Sequence, residues 1–174
     1  HELPISEQML WIIDQHINSG GVRVDVDLIQ GALSIDEEIT TELTDSARAI
    51  TGLDNPNSIP QLKRWVEEQT GTPVDSLNKA DLQQMIDTCG DPAVASVLKI
   101  RQELGKTSVA KYRTMNTAVC TDGRVRGLLQ FYGANRTGRW AGRLVQVQNL
   151  PRNYLETLDI ARSLVKAGNT EGVK

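Results

Sequence analysis

Thr137 to Pro151 reads TGRWAGRLVQVQNLP, and the rest of the chain is arranged around this stretch and its basic flanks. From 136 to 152 the polar side chains are nearly all donors: Arg136, Arg139, Arg143, Gln146, Gln148, Asn149 and Arg152, with no carboxylate among them. Arginine presents a rigid fork of N–H groups that stays charged, and an amide presents two donors beside an acceptor. Such a row suits phosphate oxygens and base edges better than a protein interior, so the expected partner is nucleic acid.

Outward from this stretch the charge is lopsided. Residues 1–98 hold five Lys/Arg against seventeen Asp/Glu, a balance of −12, and residues 99–152 hold eleven against two, a balance of +9. Residues 153–174 hold three of each, which returns the net −3. The contrast fits a chain that meets a polyanion on one face and stays soluble elsewhere; the plainer reading is a set of solvated helix faces. At 174 residues and 39% hydrophobic content the chain can build one domain or two small ones. It has no apolar run of membrane length and no basic secretory leader, so a cytoplasmic protein with no membrane partner is expected. Cys89 and Cys120 lie far apart without a histidine partner, which points to neither a metal site nor a disulfide. His1 in place of Met suggests an excised piece of a longer protein.

The central stretch resembles the entry to the palm of family A DNA polymerases, whose pattern is TGR, a variable stretch, then LQN[IL]P. The matching letters are Thr137-Gly138-Arg139 and Val147-Gln148-Asn149-Leu150-Pro151, with Val147 where the family usually has Leu. The wording RTGRWAGRLVQVQNLPR is closer to the phage-type branch. The resemblance extends from the Gly21–Asp25 link to about Lys166 and implies a piece of a template-directed DNA polymerase that acts in DNA replication.

Periodicity gives a mainly α chain in three parts: 1–24, an N-terminal helix and link; 25–115, a helical arm; and 116–174, a hairpin, a loop and a last helix. Met9, Leu10, Ile12, Ile13 and Ile17 follow Ser6, a possible cap, at helical spacing. After the brief extended link Val22–Val24, Asp25 should cap a long helix ending at Gly52, with Leu28, Ala32, Ile35, Ile39, Leu43 and Ile50 in one stripe. Its expected partner is a second long helix, Pro92 to about Met115, capped by Asp91 and facing inward through Val94, Val97 and Leu98. Two short helices, opened by Ser58 and Asn78, lie between. An Asp122-Gly123 turn should join Ala118–Cys120 to the Val125–Phe131 run as a β-hairpin. Asn153 and Glu156 form a capping-box pattern ahead of a helix over Tyr154–Ala167 that Gly168 ends.

By resemblance the long antiparallel helix pair is the polymerase thumb and the short helices are its tip, matched by Leu53–Ser58 and by Leu77-Asn78-Lys79. Asn57, Ser58, Asn78 and Lys79 are then candidates to hold the duplex backbone, although the first three also read as plain helix caps. Lys106 matches a duplex-touching lysine, and Lys111 is a looser match. Arg139 matches the arginine implied to donate into the minor groove at the primer terminus. Gln146, Gln148 and Asn149 match positions implied to touch groove and sugars, with Gln146 a departure from the family's Asn. A polymerase that must hold every sequence needs donors there, because all four base pairs show minor-groove acceptors. Arg136, Arg143 and Arg152 read as phosphate contacts. Trp140 reads as a buried anchor, with base stacking the alternative, and Trp11 and Trp65 read as core or interface.

No catalytic residue is expected in this piece. The only carboxylates in 99–152 are Glu103 and Asp122, which cannot form the two-metal cage of nucleotidyl transfer. Mg²⁺ and deoxynucleotides are therefore expected only for the full-length enzyme, and the partner of this piece is primer-template duplex. The rival reading is a non-catalytic helical adaptor whose basic segment binds nucleic acid or acidic protein.

Overall fold

The computed structural model describes residues 4–106, 109–150 and 154–174. The described residues form eight α-helices and two small antiparallel sheets of two strands each, so the fold is mainly helical. The first half contains α1 (Ile5–Gly20), β1 (Val22–Arg23), α2 (Val26–Thr51), α3 (Ile59–Thr70), α4 (Lys79–Thr88) and α5 (Pro92–Leu104). After α6 (Ala110–Ala118) come β2 (Arg124–Val125), β3 (Leu129–Ala134), β4 (Arg139–Gly142) and a 3-10 turn at Val147–Asn149, then α7 (Leu158–Lys166) and α8 (Thr170–Val173). The chain divides into two compact units, one of His1–Ile35 with Ser108–Lys174 and one of Asp36–Thr107. The boundary falls within α2.

In the 36–107 unit, local chemistry starts each helix. Asn78 caps α4 by accepting from the N–H groups of Ala80 and Asp81, and Asp91 caps α5 through Ala93 and Val94. Ser58 occupies the cap position of α3 without a side-chain bond, and Pro60 pre-sets the first turn. The core joins Leu62, Trp65 and Val66 of α3, Val74, Leu77, Leu82 of α4, and Val94, Val97 and Leu98 of α5. Each such side chain contributes about 1.5–3 kcal/mol by leaving water.

One expectation is corrected here. The helix over Pro92–Met115 is two helices, because α5 stops at Leu104 and α6 opens only at Ala110. Gly105 and the Thr and Ser that follow Lys106 have poor helix propensity, and Gly105 turns its N–H back to the Arg101 carbonyl. The apolar face of α5 is covered by α3 and α4, so the short helices rather than a second long helix bury Val94, Val97 and Leu98.

In the other unit, α1 starts at Ile5 behind Pro4, which puts Ser6 inside the helix instead of at its cap. Gly21 ends α1 at φ 63°, and a Cβ there would strike the Val125 carbonyl. Two arginines close the exposed carbonyls of that end: Arg124 donates to Gly20 and Gly21, and Arg126 to Ser19. Asn18 extends the joint further, donating to the Leu129 carbonyl and accepting from the Leu129 N–H, both at 2.9 Å, as a neighbouring strand would.

Asp25 caps α2 through the Leu28 N–H as expected, and Gly52 ends it at φ 69°. Asp25 also pairs with Lys166 of α7 at 2.6 Å, and the Lys166 ammonium holds its carboxyl below the usual range. At Gly31 the backbone of α7 comes so close that a Cβ would collide with the Val165 carbonyl. The Asp122-Gly123 turn is present, with Val119 bridged to Val125, but the strand after it is short. β2 pairs instead with β1, Val22 opposite Val125, and the longer hairpin is β3–β4. The last long helix is shorter than expected, beginning at Leu158. Tyr154 and Leu155 ahead of it are exposed. Asn153 of the expected capping box lies outside the described residues, and Gly168 ends the helix at φ 63°.

Candidate nucleic-acid interface

The TGR letters form the turn and first residue of a hairpin. Gly138 accepts φ 63°, and its N–H and that of Thr137 both bond the Ala134 carbonyl. A side chain at 138 would also press on the Tyr132 ring, so the motif needs glycine for conformation and for room. Leu129 faces Gly142 and Gln130 faces Ala141 across the pair, and residues opposite one another share a face of the sheet. The register shifts between Gln130 and Ala134, and within that irregular stretch the Phe131 and Trp140 rings meet with centroids 6.3 Å apart, edge to face. On the strand's alternation, Arg139 and Ala141 point to the face opposite Trp140.

Arg136 and Arg139 are exposed and make no side-chain bond among the described residues. Arg143 is exposed too, but its Nε donates to Gln130 Oε1 at 3.0 Å. Trp140 is 41% exposed, which corrects the reading of it as a buried anchor; its ring meets that of Phe131 edge to face. Trp65 is core, whereas Trp11 is 48% exposed.

Just beyond the hairpin one side chain turns inward. Val145 is buried beside Val125 and Leu128, and both its neighbours, Leu144 and Gln146, are in the left-handed region at φ 54° and 50°. Non-glycine residues there cost about 1–3 kcal/mol each. The Val145 anchor leaves Leu144 and Gln146 outside, and the following 3-10 turn exposes Gln148 and Asn149. Gln146 Oε1 accepts from Asn149 Nδ2 at 2.9 Å, and Lys111 Nζ donates to the Asn149 carbonyl at 3.0 Å. The Gln148 amide lies over Gly142, where a Cβ would collide with it. The structure thus brings Gln146, Gln148 and Asn149 together on one short support. Arg152 lies outside the described residues. Nothing in the residue spacing marked Tyr132, Gly142 or Asn18 as parts of this support.

The remaining candidates belong to the 36–107 unit. Asn78 is occupied as a cap and also donates to Asp81 at 2.7 Å, while Lys79 next to it is exposed. Asn57 donates to Thr44 at 3.3 Å, the Ser58 hydroxyl makes no capping bond, and Lys106 pairs with Glu103. Some of the positive charge is structural. Arg126 grips Asp122 through both carboxylate oxygens and holds its carboxyl down at about 2. Among the described residues no three His, Cys, Asp or Glu lie close enough to hold a metal ion, and no helix is long and apolar enough to cross a membrane.

No family model matches the chain, and no solved structure matches it. Among curated proteins it is similar to one named DNA polymerase, from Bacillus phage SP02, at 54% identity over 169 residues. The match takes in 97% of this chain and 26% of the phage protein, so the chain spans about a quarter of that relative's length and resembles it nearly from end to end.

Proposed function

We propose that the chain is the part of a family A, phage-type DNA polymerase that holds the primer-template duplex. The carrying observation is the 54% identity to a phage DNA polymerase along almost the whole chain. In this reading the 36–107 unit serves as the thumb, with Asn57, Ser58, Asn78, Lys79 and Lys106 along the duplex backbone. Arg139, Gln146, Gln148 and Asn149 donate into the minor groove, and Arg136 and Arg143 neutralise phosphates. The exposed donors of the hairpin and 3-10 turn support that assignment, since minor-groove acceptors are common to all four base pairs. The complete polymerase would act in replication with deoxynucleotides and Mg²⁺. The donor set here does not fit the metal, because Glu103 is taken by Lys106 and Asp122 by Arg126.

The test is titration of the chain with primer-template DNA across a salt series. Binding should weaken with salt at about 0.9 in log–log slope per phosphate contact, and Arg139→Ala should cost about 1–3 kcal/mol. Indifference to duplex in dilute buffer, or a preference for acidic protein, would favour the adaptor reading instead. With Mg²⁺ and deoxynucleotides the chain should yield no extension product.

A further inference from the structure

Building on the duplex reading above, we infer that the Trp140 face of the β3–β4 hairpin is a stacking site for an unpaired template base where the strand leaves the duplex. Trp140 and Tyr132 are 41% and 48% exposed, two aromatic rings open to water on one small hairpin. Their placement is fixed. Phe131 meets Tyr132 at 5.2 Å and Trp140 at 6.3 Å, both edge to face, and the Tyr132 ring rests against Gly138.

The surroundings choose the occupant. From 123 to 155 the chain contains no carboxylate, and Arg136 and Arg139 are exposed at the turn with no side-chain bond among the described residues. Alternation along β4 points Arg139 away from Trp140, so the groove donor and the ring lie on opposite sides of that strand. The Gln148 amide over Gly142 adds a donor and an acceptor on the ring side. Rings beside fixed positive charge are what single-stranded nucleic acid selects, since every base has a face to stack and every linkage a charge to neutralise. Bases inside a duplex cover one another and show only their edges, whereas a base that has lost its pair offers a face to the exposed part of the indole.

The experiment compares the chain's affinity, in dilute buffer, for a blunt duplex, the same duplex with a 5′ overhang, and the overhang strand alone. The overhang should improve binding about ten-fold through one stacked base. Trp140→Ala should erase that gain while leaving blunt-duplex affinity in place, and Trp140→Phe, which keeps a ring, should retain most of it. Tryptophan fluorescence should be quenched by overhang DNA in the parent chain and not in Trp140→Phe, since Trp11 and Trp65 remain in both. Equal affinity for blunt and overhang duplex, or an overhang gain that survives Trp140→Ala, overturns the inference. Failure to bind blunt duplex sinks the duplex reading alone; stacking still stands if single-strand affinity falls with Trp140→Ala, and falls with it if not.

Discussion

Gln148 depends on a missing atom. Its amide occupies the space a side chain at 142 would need, and Gln148 is itself exposed, so it can be pushed aside without unfolding anything. Gly142→Ala should therefore lower duplex affinity several-fold while thermal stability stays nearly constant, and a fall in both together would mean that Gly142 serves only the hairpin. Asp122 offers a test of a different kind. Arg126 lowers its carboxyl from the ordinary 3.8 to about 2, so the pair stabilises the fold above the unfolded value, and that contribution disappears as pH falls from about 4 toward 2. Both side chains are partly exposed, and solvent screening keeps the effect modest. Chemical denaturation from pH 5 to pH 2 should show Asp122→Asn with a flatter acid limb than the parent chain.

Helix α2 illustrates which parts of an element a sequence reveals. Its bounds were legible because Asp25 and Gly52 carry their own chemistry, a carboxylate that takes the Leu28 N–H and a residue free to adopt φ 69°. Its packing was not: Ile29 and Ala47 are its deeply buried apolar residues beside Ile35, and only Ile35 lay on the expected stripe. Gly31 shows why, since a glycine within a helix reads as a weakness until α7 is seen crossing it. Replacing it with alanine should gain up to about 1 kcal/mol of helix propensity. The collision with the Val165 carbonyl should outweigh that by about 1–3 kcal/mol, so Gly31→Ala should melt at lower temperature than the parent chain. The break after Leu104 was missed for the opposite reason: the apolar residues of α5 and α6 keep helical spacing across a Gly-Lys-Thr-Ser sequence that does not favour the helix.

At the scale of the whole molecule, the donors from 136 to 149 could be named from their letters, while the scaffold that presents them could not. Lys111 reaches Asn149 across 38 positions and Asn18 reaches Leu129 across 111, and no local periodicity encodes such pairs. Basic character likewise could not be sorted by sequence into charge that faces outward and charge that closes the end of α1, as Arg124 and Arg126 do. Val145 carries the matter furthest. Its side chain fills a hole between Val125 and Leu128 and thereby keeps two reluctant neighbours wound the wrong way. Trimming it to alanine should cost about 2 kcal/mol in the folded chain, and should also let Leu144 and Gln146 unwind. On the proposed duplex reading, a defect that never touches the surface would then emerge as weakened grip on DNA, with recognition lost from the inside.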